Sequence, residues 1–333
     1  MLICLIGCVP RSEKEVVVYS SADREFATPI LAAFERRHPD AQVATQFDLE
    51  ASKTVGLVTR IENEKAQPRC DLFWNNEIMH TLRLEKAGLL ASRSWNIPGD
   101  WPKNMRSPQG TWVAFAARAR ILIVNRKEFA SREEYPTSVL QLADPKWKGK
   151  CAVALPLFGT TATHFAVLRQ RMGAEAADEW FKKVRDNAVV VSGNKQVAQA
   201  VSSGQCAFGL TDTDDWLVEK DNGLPVDVVY PDQDFQVLGQ FGTLMIPNTL
   251  CVMKNAPHPV NAGLLADYLL SQDIEGRLAM GPSGQFPMRP NHPQKSRAAP
   301  AEPIRTMDVD FYAVAEQWDT AAEHLRAIFH APQ

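Results

Sequence analysis

Three aspartates fall within four positions in Gly209-Leu-Thr-Asp-Thr-Asp-Asp-Trp216, at the end of an apolar run. Crowded carboxylates suit hard cations such as ferric iron, calcium, magnesium or manganese, which take oxygen ligands. The same spacing also reads as a helix start, with Asp212 as N-cap and Asp214 and Asp215 as first-turn acids that complement the macrodipole. Ser20-Ser21 and Thr160-Thr161 offer the opposite chemistry. Each pair stands where a strand pattern gives way to a helix pattern, so its hydroxyls and the exposed backbone N–H groups can hold an oxygen of carbonate, phosphate or phosphonate, or else cap the helix. Reaction machinery is not in view: there is no G-x-G-x-x-G or G-x-x-x-x-G-K-[ST] loop, no G-x-S-x-G elbow and no H-E-x-x-H. The seven histidines, at 38, 80, 164, 258, 292, 324 and 330, lie far apart.

The elements that must position these residues follow from periodicity. Val16-Val-Val-Tyr19 reads as a buried strand, and residues 24–37 place Phe26, Ile30, Leu31 and Phe34 on one helix face before His38-Pro39 ends the run. A strand near 42–47, a helix near 53–65, the strand 71–74 and a helix near 77–87 continue the alternation, which predicts a parallel sheet with helices on both faces. After a loop over 91–111 comes the long β run Trp112–Val124. A second block holds a strand at 151–155, helices near 160–172 and 174–186, the strand 189–191, a helix near 195–203 and the strand 206–210. A β pair near 226–230 and 241–246, the strand 249–253, helices 259–270 and 272–280, a Pro-rich strap over 282–303 and one docking helix over 309–329 complete the reading.

The 333 residues suit one large or two ordinary domains, and 45% hydrophobic with 23% charged residues matches a folded, water-soluble body. A formal net charge of -3 provides no field for gathering nucleic acid. No stretch reaches the roughly 18 consecutive apolar residues of a membrane span. Leu5-Ile-Gly-Cys8 resembles the lipobox of bacterial lipoproteins, which predicts a lipid anchor on Cys8 and a signal remnant and tether over 1–14. Cys70, Cys151, Cys206 and Cys251 are scattered without a C-x-x-C pair, so they read as small core hydrophobes.

Several segments in unbroken order over residues 15 to 290 resemble the substrate-binding proteins of bacterial ABC importers, in particular the periplasmic ferric-ion-binding proteins. They are Val16-Val-Val-Tyr-Ser-Ser-Ala-Asp23; Cys70-Asp-Leu-Phe-Trp74 with Glu85-Lys-Ala-Gly-Leu-Leu90; Ala117-Arg-Ala-Arg-Ile-Leu-Ile-Val-Asn125; Leu140-Gln-Leu-Ala-Asp-Pro-Lys-Trp-Lys-Gly-Lys150; Ala256-Pro-His-Pro259; and Tyr268-Leu-Leu-Ser271. The resemblance implies an α/β, two-lobed periplasmic-binding-protein fold of type II. Two crossings, near 113–118 and 243–249, would join lobe one (15–115 plus 247–333) to lobe two (116–246), hinged to close over a ligand. It implies a monomeric receptor, in the periplasm or cell envelope, that delivers its ligand to permease subunits.

Members that hold ferric iron use two adjacent tyrosines after a lobe-two strand, and here that pair falls on Asp214 and Asp215. With Asp23 of the first turn and Glu77 after the third strand, they form the expected metal or ammonium site. Ser20, Ser21, Arg118, Thr160 and Thr161 form the expected anion site. Arg118 matches the family's crossing arginine, whose fork of donors suits an anion. Alternation along the strand makes Arg120 the surface residue, and Trp74 reads as core. The leading expectation is ferric iron with a synergistic anion. The alternative is an aminoalkylphosphonate or similar amine-bearing anion, its ammonium on Asp214 and Asp215. An enzyme reusing the fold is the remote alternative, since no nucleophile–base pair or open metal site is visible.

Overall fold

The structure, a computed structural model, describes residues 14–48, 54–234, 236 and 239–330. The lipobox with Cys8 lies outside the described residues. Among those described, no helix is long and apolar enough to cross a membrane.

The chain alternates β1 (Glu15–Ser20), α1 (Arg24–Arg37), β2 (Gln42–Phe47), α2 (Val55–Asn63), β3 (Leu72–Asn75) and α3 (Met79–Lys86). β1 pairs in parallel with both β2 and β3, as the β-α-β pattern requires. Even-numbered residues of β1, Val16 and Val18, pack under α1 with Ile30, Leu31 and Phe34. Tyr19, on the other face, packs under α2 with Leu57, Val58 and Ile61. One strand thus feeds two cores because successive side chains point to opposite faces.

β4 (Trp112–Asn125) organises the rest, and all 14 of its residues are buried. Its first half pairs antiparallel with β9 (Met245–Val252), from Trp112 opposite Cys251 to Ala119 opposite Met245. Its second half pairs with β7 (Phe208–Asp212), Arg120 lying opposite Asp212, and with β8 (Val226–Val229) on its other edge. β5 (Cys151–Ala154) and β6 (Val189–Val191) extend the second half, so the strand order is β2-β1-β3-β9-β4-β7-β5-β6. The short β10 (Phe286–Pro287) pairs with β4 at Ala116 and Ala117. Around this half lie α4 (Gly159–Met172), α5 (Ala174–Asn187), α6 (Asn194–Ser202) and α7 (Thr213–Asp221). Phe165 of α4 stacks on Phe181 of α5 at 4.9 Å, and each such fully buried ring contributes about 1.5–3 kcal/mol. The chain returns through α8 (Pro259–Leu269) and α9 (Gln272–Met280).

Three expectations are corrected. The segments 241–246 and 249–253 are not two strands: β9 runs without a break from Met245 to Val252, and β8 pairs with β4 instead. Pro247, which punctuates the sequence, sits inside β9 opposite Ala117, beside the register shift at Ala114/Ala116. The docking helix over 309–329 is two helices, α10 (Phe311–Glu316) and α11 (Trp318–Phe329), parted at Gln317. The break lets Phe311 and Val314 pack with α3 residues while Leu325 and Ile328 pack with Phe165 and Phe181. Finally, Arg120 is not a surface residue; it has no exposure at all. Period-two alternation exposes alternate residues only in a strand with one solvated face, and β4 is covered on both. Trp74 is core as expected, and the four cysteines are buried free thiols.

Candidate functional site

The ends of β1, β3, β5 and β7, all followed by helices, meet around two buried arginines of β4. Arg120 donates from Nη1 to Asp212 Oδ1 at 2.7 Å, Thr160 Oγ1 at 3.1 Å and Asn194 Oδ1 at 3.2 Å, and from Nη2 to Thr161 Oγ1 at 3.1 Å. Asp212 Oδ2 accepts from Thr160 Oγ1 at 2.6 Å and Asn194 Nδ2 at 3.0 Å. Arg118, two residues earlier on the same face, reaches Asp214 Oδ2 at 3.0 Å and Asp212 Oδ2 at 3.3 Å, and its Nη2 donates to the Asn76 carbonyl at 2.7 Å. Two guanidinium groups therefore face two buried carboxylates.

The electrostatics follow from these contacts. Burial opposes ionisation of Asp212, but Arg120 and Arg118 outweigh it and hold the carboxyl below its ordinary range. Asp214 moves the other way: burial, with the charges of Asp212 and Asp23, pushes it up against the pull of Arg118. Burial works against the charge on Arg118, yet Asp214, Asp212 and Asp215 raise its pKa. His164 of α4 is fully buried beside this group, and burial together with Arg120 holds its imidazole neutral, well below its usual pKa.

The predicted site residues separate into those the structure gathers and those it assigns elsewhere. Arg118, Thr160, Thr161, Asp212 and Asn76 line one small cavity with Gly159, Ser192, Gly193 and Asn194. α4 begins at Gly159 and α6 at Asn194, so two helix N-termini converge there. The helical ladders first close at Ala162 N–H to Phe158 O and Val197 N–H to Gly193 O, which leaves the preceding N–H groups outside the ladder. Ser21 lies deeper, its Oγ bonded to Asn75 Oδ1 and Asn76 Oδ1 at 2.9 and 3.0 Å while accepting from Asn76 N–H. Ser20 is fully buried, and its Oγ accepts from Ala22 N–H.

Asp23, Asp214 and Asp215 line an adjoining cleft with Glu25 and Lys195. Asp23 stands at the N-cap of α1 without a side-chain cap bond. Asp215 Oδ2 accepts from Thr211 Oγ1 at 2.8 Å and Asp212 N–H at 3.4 Å, so part of its capping role is real. One carboxylate oxygen from each of Asp212, Asp214 and Asp215 lies within 4.8 Å of the others. Glu77 stands apart from them: its oxygens accept from Met79 N–H, His80 N–H, Asn75 Nδ2 and Thr163 Oγ1, capping α3 and tying it to α4. None of the five tyrosines lines either cavity. Tyr19 bonds Glu64, and Tyr230 bonds the Ala298 carbonyl.

Sequence reasoning missed Arg120, Asn194 and His164. The signal for Arg120 was available: a charge inside a long apolar run must find a buried partner, which the pairing of β4 with β7 supplies as Asp212. Asn194 and His164 carry no comparable signal, since each looks like an ordinary helix residue.

The chain is similar to several known proteins. An iron uptake protein A1 of a Synechocystis strain is 26% identical over 285 residues, covering 82% of this chain and 76% of its own. The crystal structure of iron-bound HitA from Pseudomonas aeruginosa superposes with a TM-score of 0.80 at 21% identity, over 94% of this chain and 99% of that one. The periplasmic binding protein AfuA from Actinobacillus pleuropneumoniae, with exogenous fructose-6-phosphate bound, superposes with a TM-score of 0.81 at 19% identity, over 96% and 99%. The fold is the type II periplasmic-binding-protein fold, as the resemblance implied. The family profile described as bacterial extracellular solute-binding protein matches residues 79–313, more than half of the chain, and the protein belongs to that family.

Proposed function

We propose that the chain is the solute receptor of an ABC importer in the cell envelope, closing two lobes over a small molecule and presenting it to permease subunits without chemical turnover. Lobe one comprises 15–115 and 247–333, and lobe two 116–246. This division is supported by the change of partners along β4, from β9 up to Ala119 to β7 from Arg120. The cargo is a small oxyanion that also bears an ammonium group, as an aminoalkylphosphonate does. The observation that carries this reading is the convergence of the α4 and α6 N-termini with Arg118, Thr160 and Thr161 on one cavity. Asp214, with Asp23 and Asp215 beside it, supplies the complementary negative end. A single positive charge there offsets the burial, and the neighbouring charges of Asp212 and Asp23, that push the Asp214 pKa up, and it leaves both arginine pairs intact. AfuA, with its bound sugar phosphate, supports a phosphorylated organic solute as a cargo this fold accommodates.

Ferric iron with a synergistic carbonate or phosphate is the second reading. It is favoured by the three clustered carboxylates and by relatives named for iron. It requires Asp212, whose two oxygens both lie against guanidinium groups, to give up an arginine if it is to ligate, because a trivalent cation and a guanidinium repel at close range. Thermal denaturation of metal-stripped protein with aminoalkylphosphonates, hexose phosphates, inorganic phosphate or ferric iron separates the two. A solute at 100 times its Kd stabilises the fold by about 2.7 kcal/mol. Stabilisation by an aminoalkylphosphonate without metal supports the first reading. Stabilisation by iron alone, lost in Asp214→Ala, overturns it in favour of the second.

A further inference from the structure

A separate cavity, of 340 Å³, lies in lobe one away from the cleft, lined by Glu15, Tyr19, Gln46, Arg60, Arg69 and His258 among others. None of these six lines the two cleft cavities. Its volume lies within the range of small-molecule pockets, roughly 300–1,000 Å³. The floor is the odd-numbered face of β1 with β2, an edge strand that is at best half-buried and that α2 leaves partly uncovered.

Three features give this cavity an anion-binding character. Arg60 lies over the Tyr19 ring, 5.0 Å from its centroid, and is held there by Glu64 at 2.9 Å and by Gln46. Arg69 is exposed at the rim and makes no ion pair among the described residues. His258, the N-cap of the eleven-residue α8, is only 8% exposed, yet its Nε2 has no hydrogen-bond partner. The ring is not there by accident of packing. Asp71, fully buried, accepts from His258 N–H at 2.6 Å and pairs with Nδ1 at 2.8 Å, while also accepting from Val17 N–H. A carboxylate so placed fixes the ring's orientation and tautomer and leaves Nε2 to a further partner. Histidine, cysteine and carboxylate groups do not gather in sufficient number here to hold a metal; among the described residues they do so only at Asp212, Asp214 and Asp215.

We propose that this cavity is a second oxyanion site, holding a phosphate group between Arg60, Arg69 and His258 at the start of α8. Phosphate suits the set because it offers oxygens to the guanidinium groups and, as its monoanion, a P–OH to an Nε2 that accepts. An imidazolium Nε2–H meets a phosphate oxygen equally well. Glu15, at the same wall, disfavours a dianion lying along its side of the cavity and so directs the phosphate toward Arg69.

The test is isothermal titration of the full chain with inorganic phosphate, comparing wild type with Arg69→Ala, His258→Gln and the cleft variant Thr160→Val. Arg69 is exposed, so its replacement leaves folding intact and keeps the test decisive if His258→Gln is unstable. The expected result is a binding phase weakened about tenfold or more by Arg69→Ala, the size of one charge-assisted hydrogen bond, and unchanged in Thr160→Val. Phosphate binding that is absent at millimolar concentration, or that responds to Thr160→Val but not to Arg69→Ala, overturns the proposal.

Discussion

Replacing Arg120 by methionine tests whether the buried arginine–aspartate network is what organises the cleft. Arg120 donates four hydrogen bonds at 2.7–3.2 Å, to Asp212, Thr160, Asn194 and Thr161. Methionine fills most of the volume of the arginine stem but strands Asp212, which is 1% exposed, with Arg118 at 3.3 Å as its remaining cation. Removing one partner of a buried pair costs about 3–5 kcal/mol, and the surviving Arg118 contact places Arg120→Met near the lower end, about 3 kcal/mol. Urea denaturation followed by the fluorescence of the eight tryptophans reads this as a lowered midpoint, by roughly 1 M for an m-value of about 3 kcal/mol/M. The double variant Arg120→Met/Asp212→Leu removes the stranded charge and is less destabilised than Arg120→Met alone, which exposes the coupling. The pH dependence has a definite sign. Asp212 is held below its ordinary pKa, so its pairing stabilises the fold above about pH 4 and the stabilisation is lost as the pH falls further. The gap between wild type and Arg120→Met therefore narrows in acid. An unchanged midpoint at neutral pH, or a gap that widens in acid, refutes the reasoning.

Asp232 gives a prediction of opposite sign. It is buried, its Oδ1 lacks a partner, and burial pushes its pKa up to about 6 despite Ser138, the Val139 N–H and Arg305. Its protonated form thus stabilises the fold below about pH 4, and that contribution is lost as the pH rises through 6. Asp232→Asn, which suits the positive φ of 62° there, should stabilise the protein at pH 8 by up to about 3 kcal/mol and have little effect at pH 4, measured by denaturation at both values. Gly209→Ala introduces a Cβ 2.5 Å from Val197 Cγ1 and 2.9 Å from the Ala152 carbonyl, where β7 is wedged between β5 and α6. It should destabilise by about 1–3 kcal/mol in the same assay. Thr160→Val keeps the shape of α4 but removes a hydroxyl bonded to Asp212 and Arg120 at the cavity wall. It should weaken oxyanion binding about tenfold in a titration while the secondary structure, followed by circular dichroism, stays unchanged.

Much of the fold was legible because its elements obey local rules. The valines of β1, the 3–4 spacing of α1 and the stop at His38-Pro39 placed both within a residue of where they lie. What local pattern could not show was where two elements are one, or one is two. Pro247 looks like punctuation but lies within β9, because the neighbouring bulge and β10 accommodate it. Gln317 looks like an ordinary helical residue but divides α10 from α11, and the break lets α11 start in the core that holds Phe311 and Val314, with Trp318 and Ala321, and end in the other, with Leu325 and Ile328. At the site, the residue types were visible and their partners were not. Arg118, Thr160 and Thr161 line one cavity. Glu77 is consumed by capping α3, and Arg120 emerges as the centre of the network, because tertiary pairing decides which charges stay available.

The central claim is that the cleft recognises an anionic group through the α4 and α6 N-termini and Arg118. It is tested most directly by equilibrium titration of metal-stripped protein with an aminoalkylphosphonate, alone and in the presence of ferric iron. The account predicts saturable binding without metal, with affinity reduced about tenfold or more in Arg118→Met, which removes a charge-assisted donor. Absence of phosphonate binding, together with ferric iron binding that persists in Arg118→Met, would contradict it.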